Sequence, residues 1–116
     1  MNVNESEIVK VIQKLGISPN LLGFNYIQCA IELIARDESY IHSTTKRLYP
    51  AIATKFSTAS QRVERAIRHA IETSMDRANP EYWNAVFDGI CTLDSHRPTN
   101  SEFLATLYTY IKYNHQ

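Results

Sequence analysis

Apolar side chains recur along this chain at helical spacing. Over residues 5–15, Ile8, Val11, Ile12 and Leu15 fall at i, i+3, i+4 and i+7, the stripe of an amphipathic helix. Gly16 is placed to cap its C-terminus, and Ile17-Ser18-Pro19-Asn20 reads as a connector. A second helix is predicted from Leu22 to Arg36, with Tyr26, Ile27, Ala30, Ile31 and Ile34 along one side. No polar residue interrupts that stripe, so it is expected to be the most buried helix. Ser43-Thr44-Thr45 can cap a brief helix through Leu48, after which Pro50 breaks the pattern and fits only the first turn of a new helix. That helix, about 50–56, turns Ile52, Ala53 and Phe56 inward.

A short polar turn follows, in which Thr58 and Gln61 match a capping box. A long helix then runs to about Arg77, ended by Ala78-Asn79-Pro80. A fifth helix is predicted from Glu81 to about Asp88, carrying Tyr82, Trp83, Val86 and Phe87, before a loop at 94–98. Thr99 or Asn100 caps a last helix with Phe103, Leu104, Leu107, Tyr108 and Ile111 in register. No strand pair or internal repeat stands out. The fold class is all-α, about six helices.

Length and composition narrow this picture. A chain of 116 residues, 44% hydrophobic and 21% charged, is expected to form a single helical domain over 1–116 with its own core. Cys29 and Cys91 form no close-spaced pair, which argues against a disulfide framework or a Cys-rich zinc site and for a reducing compartment. The polar, acidic start is unlike a secretory signal, and no run nears the roughly 20 apolar residues of a membrane span. A cytoplasmic protein without a membrane partner is expected.

Twelve basic residues balance twelve acidic ones, but the balance is not local. Residues 43–69 hold Lys46, Arg47, Lys55, Arg62, Arg65 and Arg68 against Glu64 alone, whereas both flanks are net acidic. A basic central quarter suits a polyanionic partner despite zero net charge. Within the helix at 60–77, Val63, Ala66, Ile67, Ala70, Ile71 and Ser74 share one arc. Gln61, Arg62, Glu64, Arg65, Arg68, His69 and Glu72 share the other. Arg pairs with guanine, Gln with adenine, and Glu accepts from cytosine N4. A short helix, a tight turn and such a helix, about 50–72, form the helix-turn-helix layout, whose second helix enters the major groove. Pattern alone leaves a solvated face as an equal reading, Glu64 and Arg68 being an ordinary i, i+4 pair.

The residues carry more than pattern. Leu48-Tyr49-Pro50-Ala51-Ile52-Ala53-Thr54-Lys55-Phe56, then Arg62-Val63-Glu64-Arg65-Ala66-Ile67-Arg68-His69-Ala70-Ile71-Glu72, resemble the C-terminal effector domain of the stage-zero sporulation response regulator. Leu15-Gly16-Ile17, Gly23-Phe24-Asn25-Tyr26 and Arg97-Pro98-Thr99-Asn100-Ser101-Glu102-Phe103 resemble its other signatures, so the likeness spans roughly 7–112. The resemblance implies a six-helix, winged-helix-free, response-regulator effector domain, monomeric in isolation. It would bind double-stranded DNA at a TGTCGAA-type box, with a second copy head to tail on tandem boxes. By motif position Arg62, Glu64 and Arg65, with Gln61, would read bases. Gln61 stands where the family commonly has Ser, and its longer amide would reach a phosphate or an adenine edge. Lys46, Arg47, Lys55, Ser60, Arg68 and His69 would hold phosphates.

In the family the C-terminal region contacts the RNA polymerase sigma subunit. Here that region is about 80–114, and Tyr82, Trp83, Tyr110 and Tyr113 are its candidate partner surface, although a tryptophan at position 83 reads first as core and only second as an interface residue. The family's receiver domain has no counterpart within these 116 residues, so the expectation is an excised or stand-alone effector domain free of phosphorylation control. A competing reading is a protein-interaction module acting on a full-length regulator or on RNA polymerase through helices 80–114.

Other residues carry less. His42, His69, His96 and His115 lack ligand spacing, so no metal and no cofactor are expected. Ser and Thr cluster at caps and turns without a nucleophile–base set, so the chain is not read as an enzyme. Cys29 and Cys91 read as small buried hydrophobes.

Overall fold

The computed structural model describes residues 4–87 and 96–114. The expectations for Asp88, Cys91, loop residues 94–95 and His115 lie outside the described residues. Among the described residues six α-helices follow in chain order: α1 (Glu5–Lys14), α2 (Leu22–Arg36), α3 (Tyr49–Lys55), α4 (Ser60–Arg77), α5 (Pro80–Phe87) and α6 (Asn100–Tyr113). Among the described residues there is no strand, and the class is all-α.

Local chemistry sets the helix ends. The Asn4 side chain accepts from the Ser6 N–H at 2.7 Å to open α1. At its other end Gly16 adopts φ +82°, with its N–H on the Gln13 carbonyl and the Ile17 N–H on Ile12. This is a Schellman closure, which favours glycine at the left-handed position. The same turn meets the end of α4: Ser74 Oγ, fully buried, donates to the Leu15 carbonyl at 2.5 Å. Asn79 accepts from the Glu81 and Tyr82 N–H groups to start α5. Thr99 and Glu102 form a complete capping box on α6.

The segment between α2 and α3 is wound throughout. Asp37 accepts from Ser39 and opens a 3₁₀ turn (Glu38–His42), and a π turn (Thr44–Leu48) then runs directly into α3. Sequence reading expected Pro50 to separate two helices. Instead Leu48 and Tyr49 donate five residues back, to the Ser43 and Thr44 carbonyls, so the chain changes helical register before the proline. Pro50 then occupies the first turn of α3, where no intrahelical N–H is required.

Helix α2 is the centre of the packing. Eight of its residues are buried, against five in α4 and in α6, and it touches α1, α3, α4 and α6. Its uninterrupted apolar stripe made this position legible. Cys29 is buried there, and burial pushes its thiol pKa up. Phe56 departs from expectation: it is 39% exposed at the end of α3, edge-on to the Tyr26 ring at 5.1 Å. Helix α3 ends one residue before it, so Phe56 drops out of the inward stripe.

One contact fixes how α4 lies on α2. A Cβ on Gly23 would fall 2.4 Å from the Ala66 carbonyl oxygen and 2.7 Å from Ala70 Cβ. Only glycine lets the start of α2 approach the α4 backbone so closely.

Candidate nucleic-acid interface

The turn between α3 and α4 decides where the basic helix begins. Ser57 has φ +53°, the Ser57 N–H reaches the Thr54 carbonyl, and the Thr58 N–H reaches Ala53 at 2.9 Å. This Schellman closure of α3 uses the Thr58 backbone. Helix α4 therefore begins one residue later than the Thr58–Gln61 capping box requires, with Ala59 as N-cap and no side-chain cap. The expected box does not form. Among the described residues, no side chain covers the first N–H groups of α4, where the helix dipole is positive.

Of the apolar arc read from sequence, Val63, Ile67, Ala70, Ile71 and Ser74 are buried, and Ala66 at its edge is half-buried. Gln61, Arg62, Arg65 and His69 are exposed. They line one groove of about 630 Å³ between α4 and the start of α2, with Leu22, Gly23 and Ala66 among its walls. Among the described residues neither Arg62 nor Arg65 lies within ion-pair distance of a carboxylate.

Glu64 and Arg68 lie on the opposite flank. They pair with each other at 3.0 Å, both half-buried. A second cleft of about 270 Å³ opens there, bounded by Tyr49, Thr45, Arg97 and the start of α6. The two flanks give the helix a bare cationic side and a paired side.

Residues 8–111 match the family described as sporulation initiation factor Spo0A C terminal. The chain belongs to the Spo0A C-terminal family. It is a DNA-binding effector domain of the response-regulator type, and its family regulates transcription in sporulation. Among the described residues no helix is long and apolar enough to cross a membrane.

The other candidates spread over this Spo0A-type domain. Ser60 is the first residue of α4, and Lys55 is exposed in the last turn of α3. Lys46 is exposed on the π turn. Arg47 is tied to the 3₁₀ turn: it donates to Ser39 Oγ at 2.7 Å, pairs with Asp37 at 3.2 Å and lies over the Tyr40 ring. Bonds from Ser39 and then Arg47 hold the Asp37 carboxyl below its ordinary range.

The candidate partner surface needs correction. Trp83 is fully buried, its ring 4.3 Å from that of Phe87 and 6.5 Å from that of Phe103. It is a core residue. In the short α5, Trp83, Val86 and Phe87 stand at i, i+3 and i+4 and form the inward stripe, which turns Tyr82 sideways. Tyr82 and Tyr110 are half-buried and meet edge to face at 6.1 Å, with Lys14 Nζ over the Tyr82 ring. Tyr113 alone of the four is open, at 65% exposure.

Two residues that brace α4 were read from sequence only as loop and cap positions, and Thr99 rather than Asn100 is the cap of α6. Arg97 pairs with Glu72 of α4 at 3.0 Å, and Asn100 donates to both Tyr49 and the Glu64 carbonyl. Both lie within the Arg97–Phe103 motif, but their partners are 25 to 51 positions away. No local periodicity could reveal them.

Proposed function

We propose that the chain reads a TGTCGAA-type box by laying the exposed face of α4 in the major groove. One observation carries this reading: Gln61, Arg62, Arg65 and His69 stand exposed along a groove beside the uncapped end of α4. Free guanidinium groups can pair bidentately with guanine O6 and N7, and Gln61 with an adenine or a phosphate. Glu64 accepts from a cytosine amino group once Arg68 exchanges its carboxylate for a DNA phosphate. The exchange costs little because a half-exposed pair of this kind is worth well under about 1 kcal/mol. Ser60, Lys46, Arg47, Lys55 and His69 hold phosphates and set register without reading sequence. Residues 1–116 act as one helical unit on DNA, with the helix-turn-helix over about 50–72, and tandem boxes take a second copy head to tail.

Titration with a TGTCGAA duplex and a scrambled duplex at equal, moderate salt tests this reading. Preference for the box supports it; equal affinity for both overturns it.

A second reading has its own support. Tyr113 is open beside a cavity of about 420 Å³ that Val86, Thr109 and Tyr110 also line. Exposed tyrosine beside a partly apolar hollow is the composition of a protein contact. We propose that α5 and α6 present Tyr82, Tyr110 and Tyr113 to a partner, either the polymerase sigma subunit or a full-length regulator.

A further inference from the structure

The start of α6 is fastened to both helices of the helix-turn-helix. Asn100 Nδ2 donates to Tyr49 Oη at 3.0 Å and to the Glu64 carbonyl at 3.1 Å. The orientation of this amide is fixed by its partner, since a backbone carbonyl can only accept. Next to it Ser101 Oγ donates to Thr44 Oγ1 at 3.0 Å, on the π turn that leads into α3. Tyr49 is 5% exposed, and burial pushes its hydroxyl pKa up, so it remains a neutral acceptor.

The position of these bonds matters more than their number. Tyr49 is the first residue of α3, and the Glu64 carbonyl lies in the reading turns of α4, between Arg62 and Arg65. A single amide therefore spans the two helices whose relation sets the height and tilt of the reading end. Bidentate base contacts tolerate only about 0.5 Å of misplacement. Gly23 sets the opposite flank of α4 against α2; on this flank the Arg97–Glu72 pair holds α4 two turns further on, and Asn100 holds its reading end.

We propose that Asn100 is a positioning residue for base readout, holding α3 and the reading end of α4 in one register from the start of α6. The inference rests on base reading by α4. Its signature is loss of discrimination between sequences with no loss of general DNA affinity.

Wild type, Asn100→Ala and Asn100→Asp are titrated with the box and the scrambled duplex, and amide exchange is followed over residues 60–68. The Thr99–Glu102 capping box does not involve the Asn100 side chain, so both variants retain the α6 cap. Asp adds a charge favoured at a helix N-terminus but turns an acceptor toward the Glu64 carbonyl. Asp therefore keeps the size of Asn but loses both donated bonds.

The box-to-scrambled affinity ratio is expected to fall about three- to tenfold in both variants, with faster exchange over 60–68. Scrambled-duplex affinity of Asn100→Ala is expected to stay at the wild-type level. Should either variant unfold, Tyr49→Phe removes one acceptor and is expected to lower the ratio in the same sense. A wild-type preference for the box that survives undiminished in the variants overturns the positioning role alone. A wild type without preference overturns base reading itself, and the positioning role with it.

Discussion

Replacing Gly23 by alanine tests the seat of the reading helix. The new Cβ would stand 2.4 Å from the Ala66 carbonyl oxygen, where ordinary contact begins near 3.4 Å, so α4 must retreat from α2 by about 1 Å. The obstacle is backbone, which cannot swing aside as a long side chain would. Overpacking of this kind costs about 1–3 kcal/mol. Alanine recovers at most about 1 kcal/mol through helix propensity, and less here because Gly23 is the second residue of α2. The expected net effect is a destabilisation of about 1–2 kcal/mol, read as a Tm lower by roughly 4 °C per kcal/mol. Ala66 adjoins Arg65, so box affinity is expected to fall more than scrambled-duplex affinity. Thermal unfolding followed by circular dichroism decides the matter. A Tm that rises, as it does when an unobstructed helical glycine becomes alanine, would refute the close approach.

Other perturbations probe separate parts of the domain. Ser57 is exposed and holds φ +53°, so Ser57→Gly is expected to stabilise the turn before α4 by about 0.5–1 kcal/mol in chemical denaturation. Lys55→Ala is expected to weaken box and scrambled duplex alike and to flatten the slope of log affinity against log salt by about one unit. Asp37, bonded by Ser39 and Arg47, and Glu38, bonded by Lys112 and Tyr108, both have carboxyl pKa values below their ordinary ones. Each therefore contributes stability above its unfolded pKa that is lost as pH falls through its folded pKa. Asp37→Asn and Glu38→Gln are expected to lower the neutral plateau of the Tm–pH curve slightly and to flatten its acid limb, below about pH 5.

Much of this architecture was legible because its determinants are local. The bounds of α2 follow from an unbroken stripe, the start of α6 from the cap candidates Thr99 and Asn100, and the inward face of α4 from six residues at helical spacing, five of them buried. What escaped depends on neighbours in space. Thr58 has a capping side chain, but its backbone closes α3, and that moves the start of α4 by one residue. Trp83 and Tyr82 are adjacent in a helix of eight residues, too short for its i, i+3, i+4 stripe to stand out alone, and the packing of Trp83 and Phe87 with Phe103 completes the choice. Glycine at position 23 marks itself as a family signature, yet its reason, the Ala66 carbonyl, lies 43 residues along the chain. The candidate readers divide in the same way. Their placement on one helix and the i, i+4 pairing of Glu64 with Arg68 were readable, whereas the bare flank of Arg62 and Arg65, set by the approach of α2, was not.

The central claim is that α4 discriminates bases through its free guanidinium groups. The most direct test compares Arg65→Ala with wild type on the TGTCGAA duplex, on single-base variants of it, and on scrambled DNA at fixed salt. The box is expected to lose about 1–3 kcal/mol of binding free energy, with selectivity relaxed at one guanine and the remaining positions still discriminated. An equal loss on every duplex would mean that Arg65 touches only the phosphate backbone, and base reading by this face would be contradicted.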